Sequence, residues 1–98
     1  MTPCKRVEIV IEEALVPRVR ELLISLGASA YTLLPQARGQ GDRGRRRGDD
    51  PTGTLTNAII IIACKDAELA ERVAQGVQPL LTQSGGMCLI SDALWVEH

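Results

Sequence analysis

Two glycine turns and one arginine run carry the residue types with chemical potential in this chain of 98 residues. In Gly39-Gln40-Gly41 and in Ser84-Gly85-Gly86, backbone N–H groups can approach an anion with no Cβ in the way, as phosphate cradles require. Neither turn is specific alone. A GxG without the rest of a dinucleotide fingerprint is weak, and no GxxxxGK[ST] occurs. Arg43, Arg45, Arg46 and Arg47 form a basic cluster, but the adjacent Asp49 and Asp50 offset much of its field. Catalytic patterns are missing. The single histidine, His98, pairs with no Ser or Cys in a nucleophile spacing, and Glu12-Glu13 reads as a turn feature. Asp42, Asp49 and Asp50 read as solvated charges balancing arginines. Neither enzyme activity nor a metal site is expected.

The elements that must position the two turns follow from periodicity. Val7, Ile9 and Ile11 alternate in a strand over Lys5–Ile11. A helix follows, with Pro17 in its first turn, Gly27 at its C-terminal end, and a stripe of Leu15, Val19, Leu22 and Leu26. Ala30–Ala37 reads as extended, held to a sheet edge by Pro35, which has no N–H for a central ladder. Leu55–Cys64 carries four consecutive isoleucines, Ile59 to Ile62, and fits a central strand with both faces covered, or with one face buried in a subunit contact. Asp66 caps a second helix with a stripe of Leu69, Val73, Val77 and Leu80, while Gly76 and Pro79 predict a weakened or early-ending C-terminal turn. A glycine turn over 82–87 leads to a last strand, Met87–Val96. The order βαββαβ predicts an α+β, ferredoxin-like fold: a four-stranded antiparallel sheet with both helices on one face. The bare face is too apolar for a monomer, so a homo-oligomer is expected, most simply a trimer.

Composition narrows the functions. Residues 1–98 suit a single domain. With no Phe, one Trp and one Tyr, the chain offers no aromatic platform for stacking bases. The segment 38–57 holds five Arg and three Asp, a local net of +2 on a remainder of −3. A basic loop on a mildly acidic body suggests an anionic ligand or an acidic partner surface. Cys4, Cys64 and Cys88 are odd in number and lack a CxxC, so they read as reduced thiols of a cytoplasmic protein. No apolar run reaches the length of a bilayer span.

The chain resembles the PII signal-transduction superfamily. The resemblance rests on the βαββαβ order, on Leu26-Gly27 leading to Tyr31-Thr32, on the long loop opening with Gly39-Gln40-Gly41, and on the glycine turn at Ser84–Met87. It implies a homotrimer with an adenine nucleotide in each inter-subunit cleft, a long effector arm (the T-loop, here 38–57) and a short B-loop (here 82–87). The implied nucleotide residues are Arg38, Gly39, Gln40 and Gly41 at the T-loop base and Ser84, Gly85, Gly86 and Met87 in the B-loop. Ala30, Tyr31 and Thr32, with Ile62, Ala63 and Cys64, form the implied adenine edge. Three departures stand out: Met87 replaces the phosphate-gripping lysine, the modifiable T-loop tyrosine is absent, and no arginine follows the last strand. These point to the PII-like branch, closest to carboxysome-associated PII-like proteins, and place ADP or AMP ahead of ATP. Bicarbonate is the implied co-ligand, since a guanidinium from Arg43, Arg45, Arg46 or Arg47 can bind a planar oxyanion bidentately. The alternatives are an arginine-loop nucleic-acid binder and a cation-tolerance-like ferredoxin-fold trimer.

Overall fold

The computed structural model describes residues 1–28, 30–37 and 56–98. Four strands, β1 (Thr2–Glu12), β2 (Tyr31–Ala37), β3 (Asn57–Cys64) and β4 (Met87–Trp95), alternate with helices α1 (Val16–Ser25) and α2 (Ala67–Ser84) in the expected order. The sheet order is β2-β3-β1-β4 and every pairing is antiparallel. β1 starts earlier than its hydrophobic alternation implies, because β4 pairs with it as far as Thr2↔Trp95. Pro35 does lie on an edge strand. The β2–β3 register shifts between Leu34 and Ala37 around it, and Gln36 takes a φ of 60°.

Antiparallel partners share a sheet face, so the register sorts the side chains. Val7, Ile9 and Ile11 stand beside Ile62, Ile60 and Ala58, all buried beneath the helices. Ile59 and Ile61 point the other way with Val10 and stay half-buried. The isoleucine run thus supplies both faces of a central strand, as its composition required.

The helices correct two expectations. In α1 the fully buried residues are Val19 and Leu23, with Val16 nearly so, while Leu15, Leu22 and Leu26 only flank the core. The buried stripe is therefore rotated from the Leu15-Val19-Leu22-Leu26 line, because leucines on either side of a narrow contact cannot all be central. α1 ends in a Schellman motif: Ala28 N–H donates to the Leu23 carbonyl at 2.8 Å, Gly27 N–H donates to that of Ile24 at 3.1 Å, and Gly27 sits at φ 78°.

Asp66 caps α2 as expected, accepting the Leu69 N–H at 2.8 Å. Instead of ending early, α2 runs 18 residues through Pro79 to Ser84. An interior proline costs about 3 kcal/mol. Burying Val77 and Leu80 on either side of it contributes about 1.5–3 kcal/mol each, which is enough to carry the helix across. Gly76 is a contact residue. A Cβ there would lie 2.6 Å from Leu22 Cδ1, so the glycine lets α2 close on α1. Residues 82–84 accordingly belong to α2 and the turn shortens to Gly85-Gly86.

Candidate ligand-binding site

The Gly85-Gly86 turn is pressed against β1. Both residues have positive φ, 82° and 110°, and a Cβ on Gly86 would stand 2.3 Å from the Val10 carbonyl oxygen. Only glycine fits that approach. Gly85 N–H is engaged by the Leu81 carbonyl at 2.8 Å, closing the helix. Ser84 is buried, its hydroxyl within hydrogen-bond reach of the Leu80 and Gly85 carbonyls, so it braces the turn from inside. Gly86 and Met87 are the exposed members. Met87 pairs with Val10 and ends in an uncharged thioether.

The Ala37 end of β2 and the Asn57 end of β3 lie at the same end of the sheet. Ala37 faces Asn57 on β3, and Asn57 faces Glu12 on β1, two residues or about 7 Å beyond Val10. Arg38, Gly39, Gln40, Gly41, Arg43, Arg45, Arg46 and Arg47 lie outside the described residues. Glu13, which beside Glu12 reads only as a turn feature in the sequence, makes contacts here that the sequence does not announce. Its carboxylate accepts the Gln36 N–H at 2.9 Å and the Thr56 hydroxyl. Its only signal in the sequence is position, directly after a strand.

The third group of residues sits at the opposite end. Tyr31 pairs with Ile62 and Thr32 with Ile61, while Cys64 faces Lys5. From Ile62 to Asn57 is five residues of strand, about 17 Å. Within this group Ile62 and Cys64 are buried, leaving Ala30, Thr32 and Ala63 exposed. Burial, with Asp66 and Cys4 adding to it, pushes the Cys64 thiol up, which suits a packing residue and no nucleophile. Burial likewise raises Cys88. Tyr31 is half-buried, and its hydroxyl accepts Arg20 Nε–H at 2.6 Å. One chain therefore brings the glycine turn and the Ala37 and Asn57 ends of β2 and β3 to one end of the sheet and holds the Tyr31–Cys64 edge apart from them.

A cavity of about 400 Å³ opens between Lys5, Lys65, Asp66, Asp92 and Leu94. None of the described residues among the sequence-predicted nucleotide-site residues lines it. Among the described residues no group of His, Cys, Asp or Glu is arranged to hold a metal. No described helix is long and apolar enough to cross a membrane.

Comparison with known proteins bears on this geometry. The family model described as nitrogen regulatory protein P-II matches residues 4–97. Among solved structures, a nitrogen regulatory PII-like protein, CPII from Thiomonas intermedia K12 bound to ADP, AMP and bicarbonate, is 28% identical with a TM-score of 0.74. The match covers 93% of this chain and 86% of that one. The same protein bound to ADP and bicarbonate gives 28% identity and a TM-score of 0.73 over the same shares of the two chains, 93% and 86%. A candidate PII-like signaling protein from Thermus thermophilus is 28% identical, with a TM-score of 0.74, over 97% of this chain and 90% of that one. No curated protein matches significantly.

Proposed function

The chain belongs to the nitrogen regulatory protein P-II family, and on that premise we propose that it is a PII-like regulatory sensor of adenine nucleotide, with a regulatory and no catalytic role. The observation that carries this reading is the likeness, at 28% identity over most of both chains, to a protein seen with ADP, AMP and bicarbonate. Residues 1–98 form one PII-like domain, and three copies close around their open sheet faces in the cytoplasm. ADP or AMP sits in the cleft between copies. Gly86 and Met87, with Arg38, Gly39, Gln40 and Gly41, take the phosphates from one side. Ala30, Tyr31, Thr32 and Ala63 of the neighbouring copy border the adenine, with Ile62 and Cys64 as the buried backing of that edge. Two features support this division: the 17 Å gap between the half-sites, about five residues of strand, and the close seat of Gly86 on Val10.

Met87 supplies no charge, so phosphate binding falls to backbone N–H groups and arginine. That favours the shorter phosphate chains of AMP and ADP over ATP. Arg43, Arg45, Arg46 and Arg47 are the groups of choice for bicarbonate, and we place the protein in inorganic-carbon metabolism, in the manner of carboxysome-associated relatives. Ligand binding changes the surface that 38–57 presents to a protein partner. Calorimetry of the assembled protein with ADP, AMP and ATP, each with and without bicarbonate, tests the reading. Saturable heat with ADP or AMP, strengthened by bicarbonate, is expected. Absence of heat with every nucleotide sinks the proposal, and indifference to bicarbonate removes its carbon-sensing half.

A further inference from the structure

Glu13 opens the 3₁₀ turn between β1 and α1, Glu13–Leu15, and belongs to neither strand that flanks residues 38–55. It nevertheless makes three hydrogen bonds to those strand ends. Its Oε2 accepts both the Gln36 N–H, at 2.9 Å, and the Thr56 hydroxyl. Its own N–H donates to the Thr56 carbonyl at 3.0 Å. These bonds fall where the β2–β3 register shifts, between Leu34 and Ala37, so Glu13 supplies a tie where the ladder is broken. Gln36 stands at φ 60°, a conformation that costs a non-glycine residue about 1–3 kcal/mol and persists only where its surroundings hold it. A carboxylate acceptor makes bonds roughly twice as strong as a neutral one.

We propose that Glu13 is a positioning residue for the ligand site: a clasp that fixes the ends of β2 and β3 beside the Gly85-Gly86 turn. It touches no ligand and acts through Gln36 and Thr56. The inference rests on the nucleotide reading above and adds to it the residue that sets the geometry of the phosphate end.

The test uses Glu13→Ala, Glu13→Gln and Thr56→Val in the full chain, with two readouts: amide exchange of Gln36 without ligand, and calorimetric affinity for ADP. Because both side-chain bonds reach a single oxygen, the carbonyl of Glu13→Gln can accept both and serves as the rescue. Glu13→Ala is expected to speed Gln36 exchange about tenfold and to weaken ADP about fivefold, as loss of a charged buried-edge acceptor implies. Glu13→Gln, which keeps the acceptor without its charge, is expected to fall between Glu13→Ala and the wild type in both. Thr56→Val, which keeps the Gln36 bond, is expected to weaken ADP about twofold and carries the test if Glu13→Ala does not fold. Unchanged exchange in Glu13→Ala, or a Glu13→Gln as impaired as Glu13→Ala, overturns the clasp. Unchanged ADP affinity in a folded Glu13→Ala or Thr56→Val overturns its role in positioning. If the wild type binds no ADP, the nucleotide reading fails, and Gln36 exchange alone decides whether the clasp exists.

Discussion

The two faces of the sheet are built from the same residues and have different fates. Ile60 and Ile62 face the helices and are buried, while their neighbours Ile59 and Ile61 face outward and are only half-covered. On the outward face Leu34, Met87 and Leu89 are each about half exposed, at 47%, 47% and 53%. One chain has two helices and two apolar sheet faces, so it satisfies one face and leaves the other. The difference shows that hydrophobic pattern alone records how much surface must be buried, without recording whose surface covers it. The outward face also carries Thr32 and Ala63, which the proposed function assigns to one half of the ligand site. Covering the face and completing the site are thus the same event in the proposed assembly.

The sharpest way to break this comparison is to place one charge on each face. Ile60→Asp buries an unpaired carboxylate in the core and is expected to abolish the cooperative thermal transition. Ile61→Asp is expected to keep helical circular dichroism while sedimentation shows a monomer. If Ile61→Asp unfolds the chain as Ile60→Asp does, the outward face is part of the fold itself. A gentler pair sharpens the difference. Ile60→Val is expected to cost about 0.5–1.5 kcal/mol in denaturant melts at any protein concentration. The cost of Ile59→Val should shrink as the protein is diluted below its assembly range.

Thiol chemistry compares the faces without mutation. Cys64 and Cys88 lie on the helix side with thiols raised by burial, whereas Cys4 pairs with Ala93 on the outward side. In a native alkylation time course Cys64 is expected to react last, and early labelling of Cys64 would mean the helix layer opens.

The smallest effect lies where the helix-covered face runs out, at the Lys5–Asp92 pair. The hydrogen bond from Lys5, aided by its charge, lowers the Asp92 carboxyl below its usual value. A depressed acid contributes stability above its unfolded pKa and loses it as pH falls through the folded one. Asp92→Asn should therefore melt slightly lower than the wild type at neutral pH, and the two should converge in acid below the ordinary carboxylate range. Asp92 is fully exposed, so the difference should fade in high salt. A difference that persists in acid would assign it to packing.

Much of the fold is legible because strand and helix periods are local properties. The alternation of Val7, Ile9 and Ile11, the Asp66 cap and the edge placement of Pro35 all follow from the residue itself or its near neighbours. Misreadings arise where a distant partner decides. Gly76 reads as a helix breaker, and its purpose depends on Leu22, far away in sequence. Pro79 is tolerated because Val77 and Leu80 find a sheet to pack on. The α1 stripe is displaced by which of several equivalent leucines the sheet selects. For the site, Gly85 and Gly86 announce themselves through residue type, whereas Ser84 is internal bracing. Glu13 is invisible in the sequence because its partners, Gln36 and Thr56, are 23 and 43 residues downstream.

The register that joins Thr2 to Trp95 has a consequence for the order in which the molecule can be made. β1 is synthesised ahead of every other element, yet one of its two neighbours is β4, which leaves the ribosome after all of them. Until then a central strand waits with one edge open, and the Val10 carbonyl has no glycine joint to meet. We expect a chain truncated after Ser84 to remain a fluctuating intermediate without a cooperative melt, and a sharp transition in that fragment would show that β4 is an addition to a finished body. Folding of this domain is then a closure between β1 and β4, a long-range pairing that waits until β4 has been made.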